Sequence, residues 1–181
     1  MDTFINAARN VGAEVMVASD LNEVIAYIKE RASGSVMLPP CVSLARVGLL
    51  EKCREAGLNV VDNDFRKHGA EAAAGVTGAN FAFAETGTVA LESTDEAVRI
   101  ATTLPEKHFV LLDPRKILAS ADEAVPLLEK IHADMPQAYL AYITGPSRTA
   151  DIERVLTIGV HGPAELHILL LDGLSDDVME R

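Results

Sequence analysis

Leu166-His167-Ile168-Leu169-Leu170-Leu171 is a near-continuous apolar run without the apolar–polar alternation of a strand that is wet on one side. Such a run suits a strand buried on both faces, the kind found in parallel sheets covered by helices. Upstream, Ala13–Ala18, Val36–Leu38, Asn59–Val61, Thr88–Leu91, His108–Leu112 and Tyr139–Ile143 also read as short strands. Helical patterns lie between them. Asp20 and Glu23 stand at capping-box spacing around the stripe Leu21, Val24, Ile25 and Ile28, which recurs at helical period. Ser43–Ala56 runs as a helix to Gly57, Thr94–Ala101 follows, and Ala121–His132 puts Ala124, Leu127, Leu128 and Ile131 on one face. Gly34, Pro39-Pro40 and Asp113-Pro114 supply stops. Strands alternating with helices of about 10–15 residues predict an α/β fold, a mainly parallel sheet covered by helices. Phe65–Ala84 reads as broken helix and loop, because its alanines favour helix while Gly69, Gly75 and Gly78 interrupt it.

The 181 residues fit a single domain, 1–181, with no internal repeat and no Pro/Gly/Ser-rich linker. With 49% apolar and 24% charged residues, the composition is that of a packed globular chain rather than a disordered one. Sixteen Lys and Arg against 27 Asp and Glu give a net charge of −11, and no basic run interrupts the acidic background. Nucleic acid and anionic membrane both require basic patches, so neither is an expected partner. An anionic ligand would need a local pocket made from a few Arg, Lys or backbone N–H groups. Met1–Val11 has no apolar core of signal-peptide type, and no stretch approaches the roughly 20 apolar residues of a membrane span. A cytoplasmic protein without membrane insertion is expected, either monomer or homo-oligomer. Cys41 and Cys53 stand twelve positions apart with no Cys or His at metal spacing, so neither a cluster nor a metal site is expected within the chain.

Ligands of open α/β sheets usually sit beyond the carboxyl ends of the strands. Three segments have suitable composition. Thr144-Gly145-Pro146-Ser147-Arg148-Thr149-Ala150-Asp151 follows a strand and leads into a short helix or extended turn. Gly145 permits close backbone approach, Pro146 stiffens the turn, Ser147 and Thr149 offer hydroxyls, and Arg148 offers a fork for a carboxylate or phosphate. Gly75-Val76-Thr77-Gly78-Ala79-Asn80 leads to Ala84-Glu85-Thr86-Gly87-Thr88, where glycines and hydroxyls suit an anion and Glu85 suits a general base. This run lacks both the Gly-Lys-Ser/Thr of a Walker loop and the spacing of a dinucleotide fingerprint. Gly159-Val160-His161-Gly162-Pro163 places a titratable ring between glycines, fit to bind a carboxylate or shuttle protons. Each segment also has a plain structural account: a helix cap with Arg148 paired to Asp151 or Glu153, Glu85 bonded to backbone amides, His161 bonded to nearby backbone.

Taken together and in order, Gly145-Pro146-Ser147-Arg148-Thr149-Ala150-Asp151-Ile152-Glu153, Gly159–Pro163 and Glu165-Leu166-His167 resemble the C-terminal signature of the lactate utilization protein C family. Gly75-Val76-Thr77 and Ala84–Val89 resemble its other glycine-rich block. The resemblance covers Gly75 to Asp172, and the N-terminal third only in its α/β pattern; against relatives with an extra helical segment, the chain is short at its N-terminus. It implies the fold of the ribose-phosphate isomerase, glucosamine-phosphate deaminase and CoA-transferase group. It also implies a part in oxidising L-lactate to pyruvate with iron–sulfur partner proteins, this chain carrying no cofactor and the clusters lying in the partners. Carried over by position, Glu85 and His161 become the candidate catalytic residues. Thr86, Gly87, Thr88, Gly145, Ser147, Arg148, Thr149, Asp151 and Gly162 become the candidate contacts to a small carboxylate or other anion. The alternative is a stand-alone isomerase, hydrolase or transferase acting on a small phosphorylated or acyl substrate.

Overall fold

The computed structural model describes residues 1–151 and 154–179 of the chain. The apolar run that opens the sequence argument forms most of β12 (Glu165–Leu171), and all six of its residues from Leu166 to Leu171 are buried. Strand β12 is flanked in parallel register by β1 (Glu14–Ala18) and β7 (Lys107–Leu112). The sheet continues from β7 through β4 (Ala74–Gly78) and β2 (Val36–Met37) to β3 (Val60–Val61), giving six strands in the order β1-β12-β7-β4-β2-β3, all parallel. The fold is α/β with a helix-covered parallel sheet, as the alternation predicts.

One face carries α2 (Leu21–Arg31), α3 (Val42–Arg46) and α4 (Leu49–Glu55), whose Val24, Ile25, Ile28, Leu44 and Leu49 pack on Val76, Phe109, Leu111 and Leu169. Asp20 accepts from the Glu23 N–H at 2.9 Å, and the Glu23 carboxylate reaches back one residue further than a capping box, to the Ser19 N–H at 2.8 Å. The helix expected over Ser43–Ala56 is two helices, because Gly48 between them adopts φ +67.

The other face is more elaborate than the sequence reading. The N-terminal segment is a helix, α1 (Asp2–Asn10), and a second sheet of four strands packs beside it: β5 (Phe81–Phe83), β6 (Thr88–Glu92), β8 (Ile117–Leu118) and β9 (Leu140–Ile143), in the order β8-β5-β6-β9. Phe4 and Ala8 of α1 share a core with Ala82 and Val89 of this sheet and with Val110, Leu112, Leu166, Ile168 and Leu170 of the main one. A 3-10 turn, Ala121–Ala124, runs into α7 (Val125–Asp134), and Ala124 and Ile131 cover Phe81, Phe83 and Ala90.

Phe65–Ala84, read as broken helix and loop, contains α5 (Phe65–His68), β4 and β5. Its glycines signal close approach rather than disruption. Strand β4 runs beneath α6 (Glu96–Thr103), and a Cβ on Gly75 would stand 1.8 Å from the Ala101 carbonyl oxygen. After Thr144 the described residues form no helix but a two-stranded ribbon, β10 (Arg148–Thr149) against β11 (Thr157–Ile158). Ile152 and Glu153 of the C-terminal signature lie outside the described residues, as do Glu180 and Arg181.

Candidate functional site

The loop leaving β9 and the loop entering β12 are fastened to each other through backbone. The Ser147 N–H donates to the Pro163 carbonyl at 2.9 Å, and the Gly159 N–H donates to the Ser147 carbonyl at 2.9 Å. Gly145, at φ +70, passes so near the end of α1 that a Cβ would stand 2.2 Å from the Val11 carbonyl oxygen. These loops enclose a cleft of about 290 Å³ lined by Thr144, Gly145, Ser147, His161 and Gly162, with Tyr142 and Ile143 of β9, Thr102 and Thr103 of α6, and His108 of β7.

The cleft does not lie where α/β sheets usually place ligands. His108 and Leu166 are the second residues of β7 and β12, so it opens at the amino ends of the parallel strands, between main sheet and second sheet. The reason is topological: β9 belongs to the second sheet, antiparallel to β6, and its exit loop turns back along the start of β12. At the carboxyl end of β7, the fully buried Asp113 carboxylate accepts bonds from the Arg115 backbone and guanidinium and from the Ser175 N–H, which closes that end. Near the carboxyl ends of β2 and β3 there is a hollow of about 280 Å³, but apart from Cys41 and Asp62 its lining is apolar.

Of the residues expected from sequence, Gly145, Ser147, His161 and Gly162 come together around the cleft. The two glycine-rich blocks meet through a file of hydroxyls: Thr86 Oγ1 to Thr88 Oγ1 at 2.7 Å and Thr88 Oγ1 to Thr144 Oγ1 at 2.8 Å. Thr88 is buried and supports the cleft from behind. Gly87, at φ +66, packs under α1, where a Cβ would lie 2.2 Å from the Ala8 nitrogen. Glu85 is exposed on the β5–β6 turn, and its carboxylate accepts from the Ala121 N–H at 2.9 Å; it does not line the cleft. Arg148 is also outside the lining. Its Nη2 lies 2.6 Å from where a Gly145 Cβ would sit, over the backbone at the end of α1, and among the described residues the guanidinium has no partner. The Thr149 hydroxyl donates to Asp151, and this bond, the residue's own N–H and nearby His161 hold the Asp151 carboxyl below its usual range.

The residue that sequence reasoning passes over is His108, which the sequence marks only as the first residue of the strand His108–Leu112. It is on a strand, but 1% exposed, with Nε2 at 2.8 Å from the hydroxyl of buried Thr77. Burial, with a smaller contribution from nearby His167, pushes its pKa down to about 3, so the ring is neutral across the physiological range. His167 points to the opposite face, bonded to Tyr27 at 3.1 Å and Glu165 at 2.9 Å and stacked on Phe109. Among the described residues no three His, Cys, Asp or Glu are grouped to hold a metal ion, and no helix is long and apolar enough to cross a membrane.

A helix-flanked parallel sheet with a second small sheet folded on one face, and a glycine-bounded cleft between the two, defines a distinct class of α/β domain. The chain belongs to the LUD domain family, whose model matches residues 1–171. Lactate utilization protein C of Bacillus pumilus is 35% identical over 104 residues, which are 56% of this chain and 43% of that protein. Lactate utilization protein B of Shouchella clausii is 26% identical over 188 residues, 96% of this chain and 38% of that protein. The chain thus spans less than half the length of these curated relatives. A crystal structure of a DUF162 family protein from Deinococcus radiodurans shares the fold, with a TM-score of 0.68 at 22% identity over 93% of this chain and 94% of that one.

Proposed function

We propose that this domain is a lactate utilization protein C-like component of L-lactate oxidation to pyruvate, working with iron–sulfur partner proteins that carry the clusters. The observation that carries the reading is the sequence relationship to proteins named lactate utilization protein C and B, which also supports a system of several proteins. The cleft adds a place for a small carboxylate, with His161 at its mouth as the candidate proton-transfer group. In this division of labour the domain binds and orients the small molecule while electrons move elsewhere. The test is deletion of the encoding gene in its host, with growth on L-lactate as sole carbon source. Loss of growth that the intact chain restores is the expected result. Normal growth of the deletion strain overturns the assignment.

A further inference from the structure

We propose that His108 is the group that reads the ligand in this cleft, offering an Nδ1–H to an oxygen of a small hydroxy- or oxo-monocarboxylate while Thr77 holds Nε2. This deepens the functional reading above and rests on its placing the ligand in the cleft.

His108 is closed in by β4 and β12, with Gly75 and Leu166 as its neighbours in register. Its Nε2 is engaged by Thr77. Nδ1 has no partner among the described residues, yet no fully enclosed side-chain nitrogen or oxygen lacks one among them. Nδ1 therefore opens on the cleft that the residue lines. A nearly buried ring with one nitrogen tied back and the other facing a cavity is oriented in advance, so contact with a ligand costs little further ordering. With the Thr77 hydroxyl donating to Nε2, the ring proton resides on Nδ1 and the cleft gains a neutral N–H donor. Ser147 Oγ, which has no hydrogen bond among the described residues, is a second donor in the lining of the same cleft.

The lining sets the ligand's charge. Among the described residues, none that lines the cleft is Lys, Arg, Asp or Glu. A phosphoryl group brings close to two negative charges, and proteins meet it with Arg forks, Lys or helix N-termini. Placing it in a pocket where, among the described residues, His161 is the one exposed group able to take a positive charge leaves most of that charge desolvated and uncompensated. A monocarboxylate spreads one charge over two oxygens and is satisfied by a few N–H and O–H donors. The volume, about 290 Å³, lies at the small end of ligand pockets and admits a molecule of a few carbons. A hydroxyl or carbonyl beside the carboxylate supplies a further oxygen for His108 or Ser147.

The experiment is nuclear magnetic resonance of the full chain labelled with 15N-histidine, observing the ring nitrogens of its five histidines. Pyruvate, L-lactate and inorganic phosphate serve as separate probes at pH 7. The expected result is a single Nδ1–H tautomer for His108 in the free chain and a saturable shift of that nitrogen with pyruvate or L-lactate but not with phosphate. Ser147→Ala, which alters one exposed-side atom and leaves the sheet intact, weakens the monocarboxylate about tenfold, the effect of one lost hydrogen bond. An Nε2–H tautomer, a His108 ring that responds to neither monocarboxylate, or an equal response to phosphate overturns the proposal. His108→Gln, introduced at the gene, separates the two levels of inference. Normal growth of the deletion strain together with a saturable His108 shift removes the lactate role and leaves the ligand class standing. Loss of growth on deletion, fully restored by the His108→Gln chain, keeps the lactate role and removes His108 from it.

Discussion

Gly75→Ala adds one methyl group where β4 passes beneath α6. An ideal Cβ at that position stands 1.8 Å from the carbonyl oxygen of Ala101, 2.7 Å from its carbonyl carbon and 3.1 Å from its Cα. Real Cβ atoms essentially never approach a neighbour within 3.0 Å, so one backbone must retreat by at least 1.2 Å. Strand β4 is bonded on both sides, to β2 and β7, and cannot sink; α6 must lift. Lifting it opens the contacts of Ala101 with Met37 and Ala72. Overpacking of this kind costs typically 1–3 kcal/mol, and contact with main chain rather than a flexible side chain puts it near about 3. Loss of unfolded-state freedom offsets about 0.5 kcal/mol of that. The net loss is about 2.5 kcal/mol, a fall in Tm of roughly 5–10 °C for a domain of this size. Urea unfolding followed by circular dichroism measures it, with Gly34→Ala as the matched control. There the new methyl meets only the Ala73 Cβ at 3.1 Å, and the change should stay within about 1 kcal/mol. A Gly75→Ala chain as stable as its control would refute the account of how helix and sheet are joined.

Three further outcomes follow from the same structure. His108 has a folded pKa of about 3 against an ordinary 6.5, so the unfolded chain takes up this proton first; its share of stability is full above about pH 6.5 and is lost as pH falls toward 3. That loss runs at about 1.4 kcal/mol per pH unit, and His108→Gln should flatten the pH 7 to pH 5 unfolding profile by that slope, an unchanged profile counting against a buried neutral ring. Burial raises the Asp113 pKa, but the Arg115 guanidinium and the Arg115 and Ser175 backbone bonds outweigh it and hold the carboxyl below its usual range, so its stabilisation is present above about pH 4 and lost below. Arg115→Met should therefore lower stability at pH 7, and the loss should shrink as pH falls through the carboxyl's lowered range in urea titrations; equal loss at every pH would contradict the ion pair's role. Glu85→Gln keeps an oxygen for the Ala121 N–H and lies outside the cleft, so the His108 response to pyruvate should be unchanged; a lost response would place Glu85 in the site.

Much of the main sheet was legible because its signals are local. The run Leu166–Leu171 reads as a strand buried on both faces, and Asp20 with Glu23 marks a helix start, from the residues alone. The second sheet was hidden for a physical reason. Strands β5 and β8 are three and two residues long, too short for periodicity, and are held by pairing with distant segments. The loops bearing Gly145, Ser147, His161 and Gly162 stand out in the sequence by their glycine and hydroxyl composition, and the fold sets them around one cleft. Their place at the amino ends of β7 and β12 was not, because it follows from β9 joining the second sheet. Arg148 is the residue type an anion site needs and Glu85 the type a general base needs, but composition does not say which way a turn presents them.

His108 had a signal that a stricter reading would have used. A histidine inside a strand covered on both faces must have a hydrogen-bond partner, since an unpaired ring nitrogen in the core costs as much as a lost bond. In a parallel sheet the partner comes from the neighbouring strand at a register the fold sets, here Thr77, two residues beyond the Gly75 that pairs with His108. Gly75 thus answers two demands: α6 crosses above it, and it sets no side chain beside the imidazole. A Gly-x-Thr triplet and a strand histidine 31 residues later look unrelated in the sequence. The sheet makes them one device, and the same alignment that buries the ring leaves its second nitrogen facing the cleft.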